Sequence, residues 1–119
     1  MKHVHAFAGD VLGDLDGVGM ARAIAAGEFT ATEATEAAIA RLDAVNDQLA
    51  AVAYDDRERA RARADSSTFA GVFAGVPSLI KNNTAFAGLP TRQGSAAVSD
   101  RPAQANEPFT EEFLGTGVN

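Results

Sequence analysis

The chain has 119 residues, a net charge of −6, 46% hydrophobic residues, and neither cysteine nor tryptophan. That length allows one domain, and the lack of cysteine excludes disulfides, cysteine nucleophiles and thiolate metal sites. The negative charge argues against a nucleic-acid or anionic-membrane partner, and no run approaches the roughly eighteen apolar residues of a membrane span.

Residues 1–15 read as an N-terminal arm. Met1-Lys2-His3-Val4-His5-Ala6-Phe7 holds no continuous apolar segment of signal-peptide length. With the missing cysteines, this makes the cytoplasm the expected location. His3 and His5 form an H-x-H pair without a nearby third ligand, so no metal is expected. Gly13, Gly17 and Gly19 fit neither a phosphate loop nor a dinucleotide fingerprint.

A helix is expected over Asp16–Ala26, with Gly27 past its end as the residue that most easily turns left-handed. Thr30 and Glu33 form a T-x-x-E capping box for a second helix. Ala34, Ala38, Leu42 and Val45 repeat at spacings of four, four and three and make one apolar stripe. Glu33, Glu36, Arg41 and Asp43 fall on its wet side, and Asn46 is the expected stop. Gln48–Tyr54 reads as a short strand or extended segment. Asp55 caps a third helix, Asp56–Asp65, in which Arg57, Arg59, Arg61 and Arg63 spread around the axis among acids. That pattern favours a solvated helix over a nucleic-acid patch.

Ser66–Gly75 is a loop of small residues. Val76–Ile80, apolar and bounded by turn residues, reads as a buried strand. Asn82–Gly94 shows neither helical nor strand period, and long ordered loops of this kind are often functional. A second loop is expected over Pro102–Pro108. A short helix follows over Phe109–Leu114, closed by Gly115 or Gly117, and Val118-Asn119 begins a further strand. Alternating helices and short strands give an α/β expectation. Much of the apolar share is alanine, so the core should be thin.

Lys81 is the residue with the most to say. The chain has two lysines, and the other is Lys2. A lysine ending a buried strand lies partly desolvated, which lowers its pKa toward that of a working base. The plainer reading is a strand-end lysine whose stem covers apolar surface while its head reaches water.

The flanking residues weigh on the first side. Gly75-Val76-Pro77-Ser78-Leu79-Ile80-Lys81-Asn82-Asn83, then Gly88-Leu89-Pro90-Thr91 and Gly94-Ser95, resemble the amidase signature family. That family carries G-V-P-x-x-x-K-D-N followed by G-x-x-T-x-x-G-S. The likeness extends back through Ala25-Ala26-Gly27-Glu28 and Thr32-Glu33 through Arg41-Leu42-Asp43-Ala44-Val45-Asn46, which resemble the family's first two helices, and forward through Phe109 to Gly117. It is closest in wording to bacterial, including actinobacterial, amidases.

The resemblance implies an α/β fold with helices packed around a mixed sheet, of which residues 1–119 are an incomplete N-terminal part. It implies a hydrolase of linear amides with a Ser–Ser–Lys triad, no cofactor and no metal. Lys81 matches the base. A bridging serine on a cis peptide relays the proton, and a second serine attacks the carbonyl. Both serines belong to a segment downstream of Asn119, so the chain alone is expected to be inactive.

Asn82 departs from the pattern, since the family usually has an acid there. Thr91 is a candidate for the substrate wall and Ser95 for a supporting residue, although a turn serine bonding to backbone explains Ser95 nearly as well. No G-x-S-x-G elbow occurs. The expected partner is a small-molecule amide, with room for a homo-oligomer. Two rival readings stand beside this one. The chain is a non-catalytic remnant or interaction module exposing unpaired edges, or it belongs to the amidase component of a tRNA-dependent amidotransferase.

Overall fold

In a computed structural model, residues 3–66 and 68–119 are described. Four helices follow in order: α1 (Gly17–Ala25), α2 (Ala31–Leu49), α3 (Arg57–Ser66) and α4 (Pro108–Gly115).

The helix starts are set by local chemistry. The Asp16 carboxylate accepts from the Gly19 N–H at 2.7 Å and caps α1. Gly27 follows in the left-handed region, φ 72°. The expected capping box of α2 is present in both directions. The Thr30 hydroxyl accepts from the Glu33 N–H at 3.1 Å, and the Glu33 carboxylate accepts from the Thr30 N–H at 2.8 Å. These bonds satisfy two of the helix's orphan donors.

Asn46 does not stop α2, which runs one turn further. Instead its side-chain carbonyl accepts from the Ala51 and Val52 N–H groups. That ties down the exit, while Ala50 turns left-handed at φ 48°. Asp55 accepts from the Arg57 N–H at 3.0 Å, as a residue at the head of α3 should. Pro108 opens α4 at a first-turn position, where its missing N–H costs nothing.

The core is thin, as the alanine content implies. Leu12, Ala23, Phe29 and Ala34 form its centre, with Met20, Ile24, Ala37 and Ala38 packed on it. The Cα radius of gyration is 15.0 Å and the extents are 44 × 41 × 20 Å. A closed domain of this length has a radius of about 13.5 Å, so the shape is an open slab.

One expectation about the outer surface needs correcting. Arg41 does not lie on a wet face: it is gripped by Asp10, from the segment before α1, in a partly buried pair. Helix α3 is the expected solvated helix, with no buried residue, and its arginines have defined partners. Arg57 bridges Asp43 of α2 and Asp55, and Arg61 bridges Glu36 of α2 and Glu58. Arg59 and Arg63 turn to the other side and donate to the Ala87 and Val118 carbonyls. Positions four apart share a helix face, so the run resolves into two pairs with separate tasks.

The strand expectations fare differently. Gln48–Tyr54 is the end of α2 followed by irregular backbone. Among the described residues no strand forms, and only the isolated bridges Ala87–Ala103 and Pro90–Pro102 occur. Val76–Ile80 is not a buried strand: Val76 is buried, but Leu79 is 67% exposed. A strand needs a neighbour along its edge, and among the described residues this segment meets one only at Asn119. There the Asn119 N–H donates to the Val76 carbonyl at 2.8 Å and the Ser78 N–H donates to the Asn119 carbonyl at 2.9 Å. This is the bonding pattern of a parallel pair, one step long. The described residues are therefore helical and irregular rather than α/β.

Candidate active site

The segment carrying Lys81 is held by backbone contacts that demand glycine. Gly75 has φ 78°, and a Cβ there would lie 2.9 Å from the Ala31 Cβ at the start of α2. Gly117, after α4, has φ 93°, and a Cβ there would lie 2.7 Å from the Ala70 carbonyl oxygen. Only a residue without Cβ lets the backbone come this close. Between them the Phe73 and Gly75 N–H groups donate to the Thr116 and Gly117 carbonyls at 2.8 and 2.9 Å. The chain from 73 to 78 is thus laid along 116–119.

Lys81 itself is exposed. The desolvated base expected from a buried strand end is not what these residues build, because the strand that was to bury it has neighbours on one edge only. Lys81 and Asn82 line an apolar groove of about 480 Å³, with Ile39, Leu42, Phe86 and Leu89 among its other walls. That volume lies in the range of small-molecule sites. A smaller hollow of about 170 Å³ lies by His3, His5 and Gln48. Among the described residues no group of three His, Cys, Asp or Glu side chains is placed to hold a metal ion.

The loop after the lysine is irregular, as expected, yet it is fixed at several points. The Ala85 carbonyl accepts from the Thr110 hydroxyl at 2.7 Å and from the Glu107 N–H at 3.2 Å. The Ala87 N–H donates to the Asn106 side chain at 2.7 Å. Gly88 and Leu89 exchange bonds with Ala103. From α3, Arg59 lays its guanidinium over the Phe86 ring at 4.8 Å and donates to the Ala87 carbonyl at 3.0 Å. Stacking and donation together use both the plane and the edge of the guanidinium.

Asn82, the chain neighbour of Lys81, ties the loop back on itself. Its Nδ2 donates to the Pro90 carbonyl at 2.8 Å and its Oδ1 accepts from the Arg92 N–H at 2.7 Å. Its backbone carbonyl accepts from the Gln93 N–H at 2.9 Å. Thr91, between the tied residues, is half-buried, and its hydroxyl is buried without a hydrogen-bond partner among the described residues.

Ser95 stands apart. It is exposed, and its hydroxyl accepts from the Ala97 N–H at 3.2 Å, as a turn serine bonding to backbone does. Lys81 and Asn82 share the groove wall, Asn82 ties down the residues on either side of Thr91, and neither Thr91 nor Ser95 is among the groove's lining residues. Sequence reasoning missed the Ser78-x-x-Lys81 spacing, readable directly in the chain. That spacing sets two side chains together on a helix. This segment is not helical, and Ser78 is tied into the pair with Asn119, so the geometry gives the spacing no catalytic meaning. Sequence reasoning also missed Arg59, Thr110 and Asn106, each at least nineteen residues from the loop atom it holds.

The comparisons bear on this region directly. The profile of the family described as Amidase matches residues 33–118. A Mycobacterium leprae protein carrying the amidase name AmiC is 47% identical over 117 residues, covering 98% of this chain and 25% of that protein. A glutamyl-tRNA(Gln) amidotransferase chain of Streptomyces avermitilis is 39% identical over 83 residues, 64% of this chain and 17% of that one. A solved, inhibitor-bound structure is described as "an unexpected vestigial protein complex" that "reveals the evolutionary origins of an s-triazine catabolic enzyme". This chain superposes on one of its chains with a TM-score of 0.78 at 26% identity, covering 87% of this chain and 24% of that one. The chain spans about a quarter of the length of the amidase relatives it matches. With a profile match over most of its residues and a relative 47% identical across nearly all of them, the chain belongs to the amidase family.

Proposed function

We propose that residues 1–119 form the lysine-bearing part of a cytoplasmic amidase domain of α/β architecture, with residues 1–15 as its N-terminal arm. The reaction is hydrolysis of a linear amide to a carboxylic acid and ammonia or an amine. Lys81 is the general base. As a neutral amine it takes a proton from the bridging serine, which takes one from the attacking serine. The serine oxygen adds to the carbonyl, the amine leaves with the relayed proton, and water then releases the acid from the acyl-serine. Thr91 lines the substrate wall, Ser95 supports it from the same loop, and no cofactor takes part. Both serines lie outside residues 1–119, so this chain contributes one catalytic group and no nucleophile.

The observation that supports this best is the placement of Lys81. It sits within the family-matched span, on the wall of a groove of small-molecule size, at the root of a loop pinned by α3, α4 and Asn82. The exposure of Lys81 fits a part whose remaining walls come from elsewhere in such a domain. The same open face fits a homo-oligomer.

The test is to isolate the native protein from its source cell with an antibody to residues 1–119, measure its intact mass, and assay ammonia release from linear amides. A species heavier than 12.3 kDa that turns amides over, and loses about 10²–10⁴-fold in kcat on Lys81→Ala, is the expected result. Turnover within tenfold of wild type in Lys81→Ala would falsify the assignment of the base. The Streptomyces match supports a second reading, the amidase component of a tRNA-dependent amidotransferase. Glutamine-dependent amidation of glutamyl-tRNA, in the presence of partner chains, separates the two.

A further inference from the structure

The side chain of Asn82 does something that the acid usual at this place in the family pattern does not do when ionised. It donates to Pro90 and accepts from Arg92 at once, while its own carbonyl holds the Gln93 N–H. The orientation of the amide is fixed by its partners: a carbonyl only accepts and a backbone N–H only donates. Gln93 is held with φ 53°, a conformation that non-glycine residues seldom keep unless neighbours impose it.

We propose that Asn82 is a positioning residue, a neutral clasp that fixes the 90–93 loop, Thr91 included, against the segment ending in Lys81. This rests on the reading of Lys81 as the base. An ionised carboxylate at residue 82 still accepts from the Arg92 N–H. It has no hydrogen for the Pro90 carbonyl, and it sets two oxygens against each other at about 2.8 Å. The amide keeps both halves of the clasp at every pH at which the fold stands.

Two lysines make the test direct. The full 119-residue chain is labelled with 15N and with 13C in its lysines, and Lys81→Arg assigns the Lys81 Cε signal. Amide exchange at Arg92 and Gln93 is followed in wild type, Asn82→Ala and Asn82→Asp, with interior α2 amides as the control for folding. In Asn82→Ala, Arg92 exchange rises at least tenfold, the α2 amides do not change, and the Lys81 Cε signal shifts. In Asn82→Asp at pH 7, Arg92 exchange lies between the two, because the acceptor remains and the donor is gone. If Asn82→Ala also loosens α2, the near-isosteric Asn82→Asp carries the test.

Arg92 exchange within twofold of wild type in both variants overturns the clasp. So does an unmoved Lys81 signal in Asn82→Ala, which would leave Asn82 a merely structural residue. Neither result touches the role of Lys81, which the amide-turnover assay decides separately.

Discussion

Arg41 and Asp10 are 31 residues apart in sequence, and their side chains meet through two hydrogen bonds, Nε to Oδ2 at 2.7 Å and Nη2 to Oδ1 at 2.6 Å. The same guanidinium donates to the Gly13 carbonyl at 2.6 Å, and Asp10 accepts from the Leu12 and Gly13 N–H groups. The Arg41 guanidinium also lies 5.7 Å from the centre of the Phe7 ring. The segment before α1 is therefore bound to α2, and it delivers Leu12, 3% exposed, to the centre of the core.

The Asp10 carboxyl is held below its ordinary range, chiefly by the hydrogen bond from Arg41, against a smaller opposing effect of burial. A carboxyl with a depressed folded pKa stabilises the fold fully above its unfolded value, about 3.9. That contribution is lost as pH falls through the folded value. Asn at this position should lower the urea midpoint at pH 7, and the gap to wild type should close as pH drops below about 4. A gap that stays constant down to pH 3 would show that the carboxylate charge contributes nothing.

Thr110 is fully buried and its hydroxyl donates to the Ala85 carbonyl at 2.7 Å. Valine has the same shape but no donor, and the carbonyl keeps only its bond from Glu107. Thr110→Val should destabilise by about 1–2 kcal/mol, and Thr110→Ser should retain most of the bond. Urea unfolding of both variants checks this, and equal losses in the two would point to packing rather than the hydroxyl.

Gly75 and Gly117 are both left-handed, and both face atoms that a Cβ would meet. Alanine adds backbone strain of about 1–2 kcal/mol to an overpacking term of about 1–3 kcal/mol. The obstacle at Gly75 is a methyl group on α2, whereas at Gly117 it is backbone. Gly117→Ala should therefore be the worse of the two. Thermal melts of the two variants give the order, and the reverse order would contradict the contact geometry.

Lys81 is exposed and makes no side-chain hydrogen bond among the described residues. Lys81→Ala should shift the stability of the chain by no more than about 0.5 kcal/mol. A loss of amide turnover in the native protein would then be chemical and not a consequence of unfolding. A marked drop in the urea midpoint of Lys81→Ala would undo that separation.

What could be read in the sequence was local. The Thr30–Glu33 box and the Gly27 turn depend on atoms within a few residues, and both stand as expected; the last helix starts at Pro108, one residue before the expected Phe109. The strand at Val76–Ile80 failed because strand pairing is not a property of the segment itself. Its composition was right, but its neighbour is one residue of a distant segment. Arg41 failed for a similar reason: helical periodicity says which face it lies on, and not that Asp10 comes back to cover that face. At the candidate site, the likeness around Lys81 marked the position. The roles of Asn82 and Arg59 needed the folded path of the loop.

Asn119 is the meeting point of three separate stretches of chain. Its side-chain amide donates to the Thr35 hydroxyl at 2.8 Å and to the Ala60 carbonyl at 3.0 Å, 84 and 59 residues away, while its backbone grips Val76 and Ser78. During synthesis α2 and α3 can pair through their arginines before Asn119 exists. The bonds that Val76 and Ser78 make to Asn119 form only once that residue has emerged. Closing such long loops is slow compared with forming helices. The lysine segment is thus fastened to a helical platform already in place.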